Sequence, residues 1–64
     1  MKRKTETLIR CKNVTEYGTF HYYGKTNGDV FWLEEWQGIK RTSVQYFLTE
    51  EDMMERINEL IMMI

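Results

Sequence analysis

His21 is the only histidine and Cys11 the only cysteine among 64 residues. Acid–base chemistry through imidazole must therefore run through one side chain, and it needs a carboxylate to orient the ring. A two-residue hairpin loop at Asn27-Gly28 supplies one, because it sets His21 across from Glu34 with Arg41 on the strand beyond. A polar row between aromatic residues on a sheet surface has the same composition and is the simpler reading. Cys11 and Ser43 are nucleophiles by residue type only, since neither is flanked by an elbow sequence or an activating base. Glu51, Glu55 and Glu59 recur every four residues like a ligand ladder, yet no second helix brings opposing ligands, so a solvated acidic face is expected. One cysteine closes no internal disulfide, and with one histidine it is too little for a structural zinc site. The glycines at 18, 24, 28 and 38 match no phosphate-binding pattern and suit strands and turns, Gly18 marking a bulge or a close backbone approach. The expectation is a non-enzymatic protein with no catalytic residue, metal, cofactor or small-molecule substrate.

Bulk composition narrows the class. A chain of this length is expected to form one domain over 1–64, with residues 1–4 as a basic arm. A core that small supplies roughly 3–5 kcal/mol without a covalent staple. The 42% hydrophobic content argues against disorder. Lys2, Arg3 and Lys4 begin the chain as an export signal would, but Thr5-Glu6-Thr7 stands where an apolar stretch is required. The longest apolar run, Leu60 to Ile64, falls far short of the roughly 20 residues that cross a bilayer. With an unpaired cysteine, these features lead to the expectation of a cytoplasmic protein that engages no membrane. Charge is uneven: Lys2, Arg3, Lys4, Arg10 and Lys12 against Glu6 give residues 1–12 a charge of +4, and residues 49–64 carry −4. A frayed basic end and the outer face of a helix explain both, beside a nucleic-acid contact and an acidic docking surface.

Periodicity then assigns the elements. Thr49 is an N-cap, with Asp52 three residues on as an approximate capping box and Glu50, Glu51 and Asp52 in the first turn, where the helix dipole favours acids. Met53, Ile57, Leu60, Ile61 and Ile64 follow as one apolar stripe; Asp52 and Arg56 are spaced as an i,i+4 pair, and Met62 and Met63 lie off the stripe. Upstream, Thr5 to Phe47 reads as β structure. The Asn27-Gly28 loop pairs Tyr23 with Trp32 and Thr19 with Trp36 on one side, and Tyr22 with Leu33 on the other. A second loop at Gln37-Gly38 sets Glu35 opposite Lys40, Glu34 opposite Arg41 and Phe31 opposite Val44, two opposite-charge pairs that support the register. Glu6 to Lys12 reads as a further strand with no assigned partner.

Together these elements define an α+β domain, an antiparallel β-meander of three to four strands with one C-terminal amphipathic helix packed on one face. The helix side takes Phe20, Tyr22, Phe31, Leu33, Val44 and Tyr46. The other side takes Tyr17, Tyr23, Trp32, Trp36 and Ile39, interleaved with His21, Glu34 and Arg41, and a single helix cannot cover it. Three explanations compete for that side: the sheet curls or the N-terminal strand and tail fold over it and its tryptophans become core, it binds a protein or a second copy of the chain, or it stacks single-stranded nucleic acid. The reading from sequence is a protein-binding module of the inhibitor or adaptor type, a kind that phages and mobile elements also encode. It would use Tyr17, His21, Tyr23, Trp32, Glu34, Trp36 and Arg41 to engage a protein partner or form a homodimer. The alternative is a single-stranded nucleic-acid-binding module using the same rings and the basic arm.

Overall fold

The computed structural model describes residues 4–62, the side chain of Met62 excepted. The arm residues Lys2 and Arg3 and the helix-end residues Met63 and Ile64 lie outside them. Four antiparallel strands, β1 (Glu6–Thr15), β2 (Gly18–Thr26), β3 (Phe31–Gln37) and β4 (Lys40–Phe47), form one sheet in chain order, and α1 (Glu50–Met62) packs across one face. The chain is therefore an α+β meander, as its periodicity predicts. The first strand runs past Lys12 to Thr15 and turns tightly through Glu16-Tyr17 into Gly18. The Thr15 hydroxyl makes that turn by accepting the Tyr17 N–H and donating to the Gly18 carbonyl, both at 3.1 Å. No Gly or Asn at the turn centre announces it, which is why sequence alone leaves β1 without a partner. Gly18 has φ of 126°, which favours glycine, and the atom a Cβ would meet at 2.9 Å is the side-chain amide of Gln37 rather than the bulge or backbone approach predicted for it.

Both remaining hairpins depart from the predicted registers, for local reasons. A type I′ loop at Asn27-Gly28 requires a left-handed Asn27, but among the described residues only glycines have positive φ. Asn27 instead turns its side-chain oxygen onto the N–H groups of Asp29 and Val30, at 2.9 and 3.1 Å. This widens the loop to residues 27–30, so Tyr23 pairs with Glu34 and His21 with Trp36. The third turn centres on Gly38-Ile39 rather than Gln37-Gly38. Its first central residue must have positive φ, which Gly38 adopts at 64° and a glutamine would resist. Gln37 then pairs with Lys40 and Trp36 with Arg41, while one strand position on, Glu35 pairs with Ser43. Thr42 is the bulged residue, its hydroxyl 2.7 Å from Glu35 Oε1 and 3.2 Å from the Glu35 carbonyl. Glu35 and Lys40, and Glu34 and Arg41, are accordingly not register partners, although Arg41 still reaches Glu34 diagonally at 4.0 Å.

Helix α1 begins as predicted, with the Asp52 N–H donating to Thr49 Oγ1 at 3.2 Å. Arg56 pairs with Glu59 and donates to Gln45, rather than pairing with Asp52. Met53 and Ile57 are fully buried and cluster with Tyr22 and Leu33. Gly24 makes this approach possible: a Cβ there would stand 2.6 Å from Ile9 Cγ2 and 3.0 Å from Met53 Cε. The molecule's shortest dimension, 14 Å, accommodates a sheet and one helical layer. The other face of the sheet is left without a covering element among the described residues.

Candidate functional site

Three lateral rows run across the uncovered face. Arg10, Tyr23, Glu34 and Val44 are successive partners in one; Lys12, His21, Trp36 and Arg41 in the next; Thr7, Lys25, Trp32 and Tyr46 in the third. The loop at 27–30 shifts β3 by two positions, an even number, so Tyr23, His21, Trp32, Glu34 and Trp36 keep the face predicted for them. The predicted His21–Glu34–Arg41 row does not form, because the same shift places Trp36 between His21 and Arg41. The Thr42 bulge adds one residue, an odd number, and turns Val44 and Tyr46 from the predicted helix side onto this face. Tyr17 and Ile39 fall in the turns and stand in solvent at 78% and 99% exposure. Tyr17 contributes its backbone carbonyl to Gln37 Nε2.

Glu34 lies at the centre and is the one buried charged residue described, with 5% of its surface exposed. Trp32 and Trp36 sit two residues to either side on the same strand face, and their indoles lean inward over it. Trp32 Nε1 donates to Oε2 at 2.7 Å and Trp36 Nε1 to Oε1 at 2.8 Å. Lys25 Nζ adds a charged hydrogen bond to Oε1 at 3.0 Å, and Arg41 reaches to 4.0 Å from Oε2. Burial pushes the pKa of this carboxyl up, but the hydrogen bonds from Trp36, Trp32 and Lys25 and the Lys25 charge outweigh it and hold the group below its ordinary value. The consequence is mechanical: both indole N–H groups are consumed internally, so the half-buried rings are fixed in orientation and present hydrocarbon, not donors, to the outside. Trp32 continues into Tyr46 with ring centroids 6.3 Å apart, and Lys25 stands 5.7 Å from the Tyr23 ring centroid. Of the explanations for this face, the one in which the tryptophans become core with their N–H groups satisfied is met only in part: both N–H groups are bound and both rings half-buried, while the face still opens to solvent.

Two adjoining grooves cross the face beside this cluster. The larger, about 340 Å³, is lined by Thr7, Arg10, Tyr23, Lys25 and Trp36. The smaller, about 310 Å³, shares Arg10 and Tyr23 and adds Lys12 and His21. Neither the Arg10 nor the Lys12 side chain makes a hydrogen bond or ion pair with the described residues. These two residues and Lys25, together with Val44 and Tyr46 from β4, belong to the face but not to the set predicted from sequence. Arg10 and Lys12 alternate with Ile9 and Cys11 at the period of a strand, but counted as part of a basic terminus they hide that signal. Four cations, Arg10, Lys12, Lys25 and Arg41, face one carboxylate here, a net charge of +3. The opposite side of the molecule carries Glu50, Glu51, Asp52, Glu55 and Glu59 on α1.

Among the described residues, the helix side of the sheet holds a smaller pocket of about 60 Å³ beside Tyr22, Glu35 and Arg56. Tyr22 donates to Glu35 Oε2 at 2.8 Å, and burial together with that bond pushes its pKa up to about 12. Burial likewise raises that of Cys11. No group of three or more histidine, cysteine, aspartate or glutamate side chains among the described residues is placed to hold a metal ion. No helix of the described residues is long and apolar enough to cross a membrane. The fold and the face define a small α+β meander with one sheet surface left open and charged. Comparison with protein-family models, with curated proteins and with solved structures finds no match to this chain.

Proposed function

We propose that this chain is a non-enzymatic binding module of the inhibitor or adaptor type, which engages a macromolecular partner through the open face of its sheet. One observation carries this reading. Both tryptophans are locked by Glu34 on a face that no described element covers. Fixing rotamers in advance lowers the entropy lost on association, and Trp, Tyr and Arg are the side chains that dominate interface energetics. Arg41, Tyr46 and Val44 extend the same surface to the β4 edge.

A photo-crosslinking side chain at Tyr46, 66% exposed on this face, tests the reading against one at Glu55 on the outer surface of α1. In cells that make the protein, the Tyr46 position should give a discrete adduct and the Glu55 position none. An adduct at twice the chain mass identifies a second copy of the chain as the partner. No adduct from Tyr46, or equal yield from both positions, overturns the proposal.

A further inference from the structure

The open face has the charge and the ring geometry of a polyanion site, and we infer that its occupant is single-stranded nucleic acid, with bases stacked on Tyr23 and Trp36 and phosphates on Arg10, Lys12 and Lys25. This rests on the open face being the binding surface. Aromatic content alone suits a protein partner equally, and what separates the two is where the cations lie. Arg10 and Lys12 are two residues apart on one strand, about 7 Å along it, and both point onto the grooves that Tyr23 divides. Having no partner among the described residues, they keep their full charge for a ligand. Lys25 and Arg41 approach Glu34, whose single charge leaves the face at +3.

The rings complete the argument. With its N–H bound to Glu34, Trp36 has no donor left for reading a base edge, so its contribution is a stacking surface, which every base can use. Tyr23 sits beside Arg10 and opposite Glu34 in the central row, in reach of both grooves. The acidic surface of α1 on the far side repels a polyanion and so orients its approach. Recognition of this kind is sequence-tolerant, prefers single strands because only their bases are free to stack, and depends steeply on salt.

The test uses the full chain with labelled 12-nucleotide single strands, dT and rU, and a duplex of equal length, followed by anisotropy and tryptophan emission. Binding to at least one single strand is expected, tighter than to the duplex. About three phosphate contacts should weaken it about 20-fold between 50 and 200 mM salt. Tyr23→Leu should cost about tenfold in affinity. The double variant Arg10→Gln/Lys12→Gln, both sites exposed on the edge strand, should reduce the logarithmic salt slope by about 1.4. Lys40→Gln, on the helix side of the β3–β4 turn, should change neither. Absence of binding at low salt overturns the inference, as does duplex binding equal to single-strand binding with no effect of Tyr23→Leu. If a Tyr46 crosslinker still captures a protein in that event, the open face stands and only the nucleic-acid assignment fails. Equal weakening by Lys40→Gln and by the Arg10/Lys12 pair would place nucleic-acid binding elsewhere and overturn the inference, with the open face still decided by the Tyr46 crosslink.

Discussion

Glu34→Ala should destabilise the protein by about 3 kcal/mol, measured by urea unfolding with far-ultraviolet circular dichroism, and should shift tryptophan emission to the red. The substitution strips the acceptor from two indole N–H groups and leaves Lys25 without its partner. Hydrogen bonds to a charged group contribute about 1.5–3 kcal/mol each, and removing one member of a buried pair costs about 3–5 kcal/mol. The lower end applies here, because Glu34 lies on the uncovered face of a single sheet and its partner Lys25 is partly exposed, so water enters once the carboxylate is gone. Against the roughly 3–5 kcal/mol that a core of this size provides, such a loss removes most of the stability. A change below about 1 kcal/mol would mean that water replaces the carboxylate without cost, and that Glu34 does not organise this face. Glu34→Gln separates charge from shape, since the amide keeps one acceptor but turns an N–H group toward the second indole or toward Lys25.

The same pair of proteins fixes the sign of the pH dependence. The folded carboxyl titrates below its ordinary value of 4.5. Its ionised form therefore contributes stability that is complete above 4.5 and is lost as pH falls through the lower, folded value. The stability gap between the wild type and Glu34→Gln should accordingly be widest at pH 7 and narrow by pH 3. A gap that does not change with pH would show that the carboxylate's charge contributes nothing.

The second large effect lies on the opposite side of the sheet. Gly24→Ala inserts a methyl group 2.6 Å from Ile9 Cγ2 and 3.0 Å from Met53 Cε, and β-branched Ile9 has little freedom to withdraw. Overpacking of this kind costs about 1–3 kcal/mol. Met53→Ala empties a fully buried site and costs about 2–5 kcal/mol. Introduced together, the two should cost at least about 1 kcal/mol less than the sum, since the new methyl group occupies space that the Met53 side chain vacates. Additivity within about 0.5 kcal/mol, read from the same unfolding curves, would mean that the helix does not seat on Gly24. The helix also packs through Ile57 and the partly buried Met54, Leu60 and Ile61, so this contact sets how closely α1 seats on the sheet.

What the amino-acid order determines unaided is whatever depends on local spacing. Thr49 starts the helix, the Met53–Ile57 stripe selects its buried side, and the alternation from Phe31 to Gln37 puts Trp32, Glu34 and Trp36 on one face in any register. That assignment survives the longer loop at Asn27 because a shift by two positions leaves parity unchanged. Parity is also where local reading ends. The Thr42 bulge inserts a single residue and carries Val44 and Tyr46 across the sheet, and it is held by a hydroxyl contact to Glu35 that exists only once β3 and β4 are paired. The Glu16-Tyr17 turn likewise depends on the Thr15 hydroxyl, and only by making it does β1 bring Arg10 and Lys12 beside Tyr23. Sequence spacing shows a face rich in rings with one carboxylate among them. Tertiary pairing supplies the cations, buries Glu34 under two indoles and gives the face its positive charge, because those relations link residues on different strands whose register is set by turn strain and not by alternation.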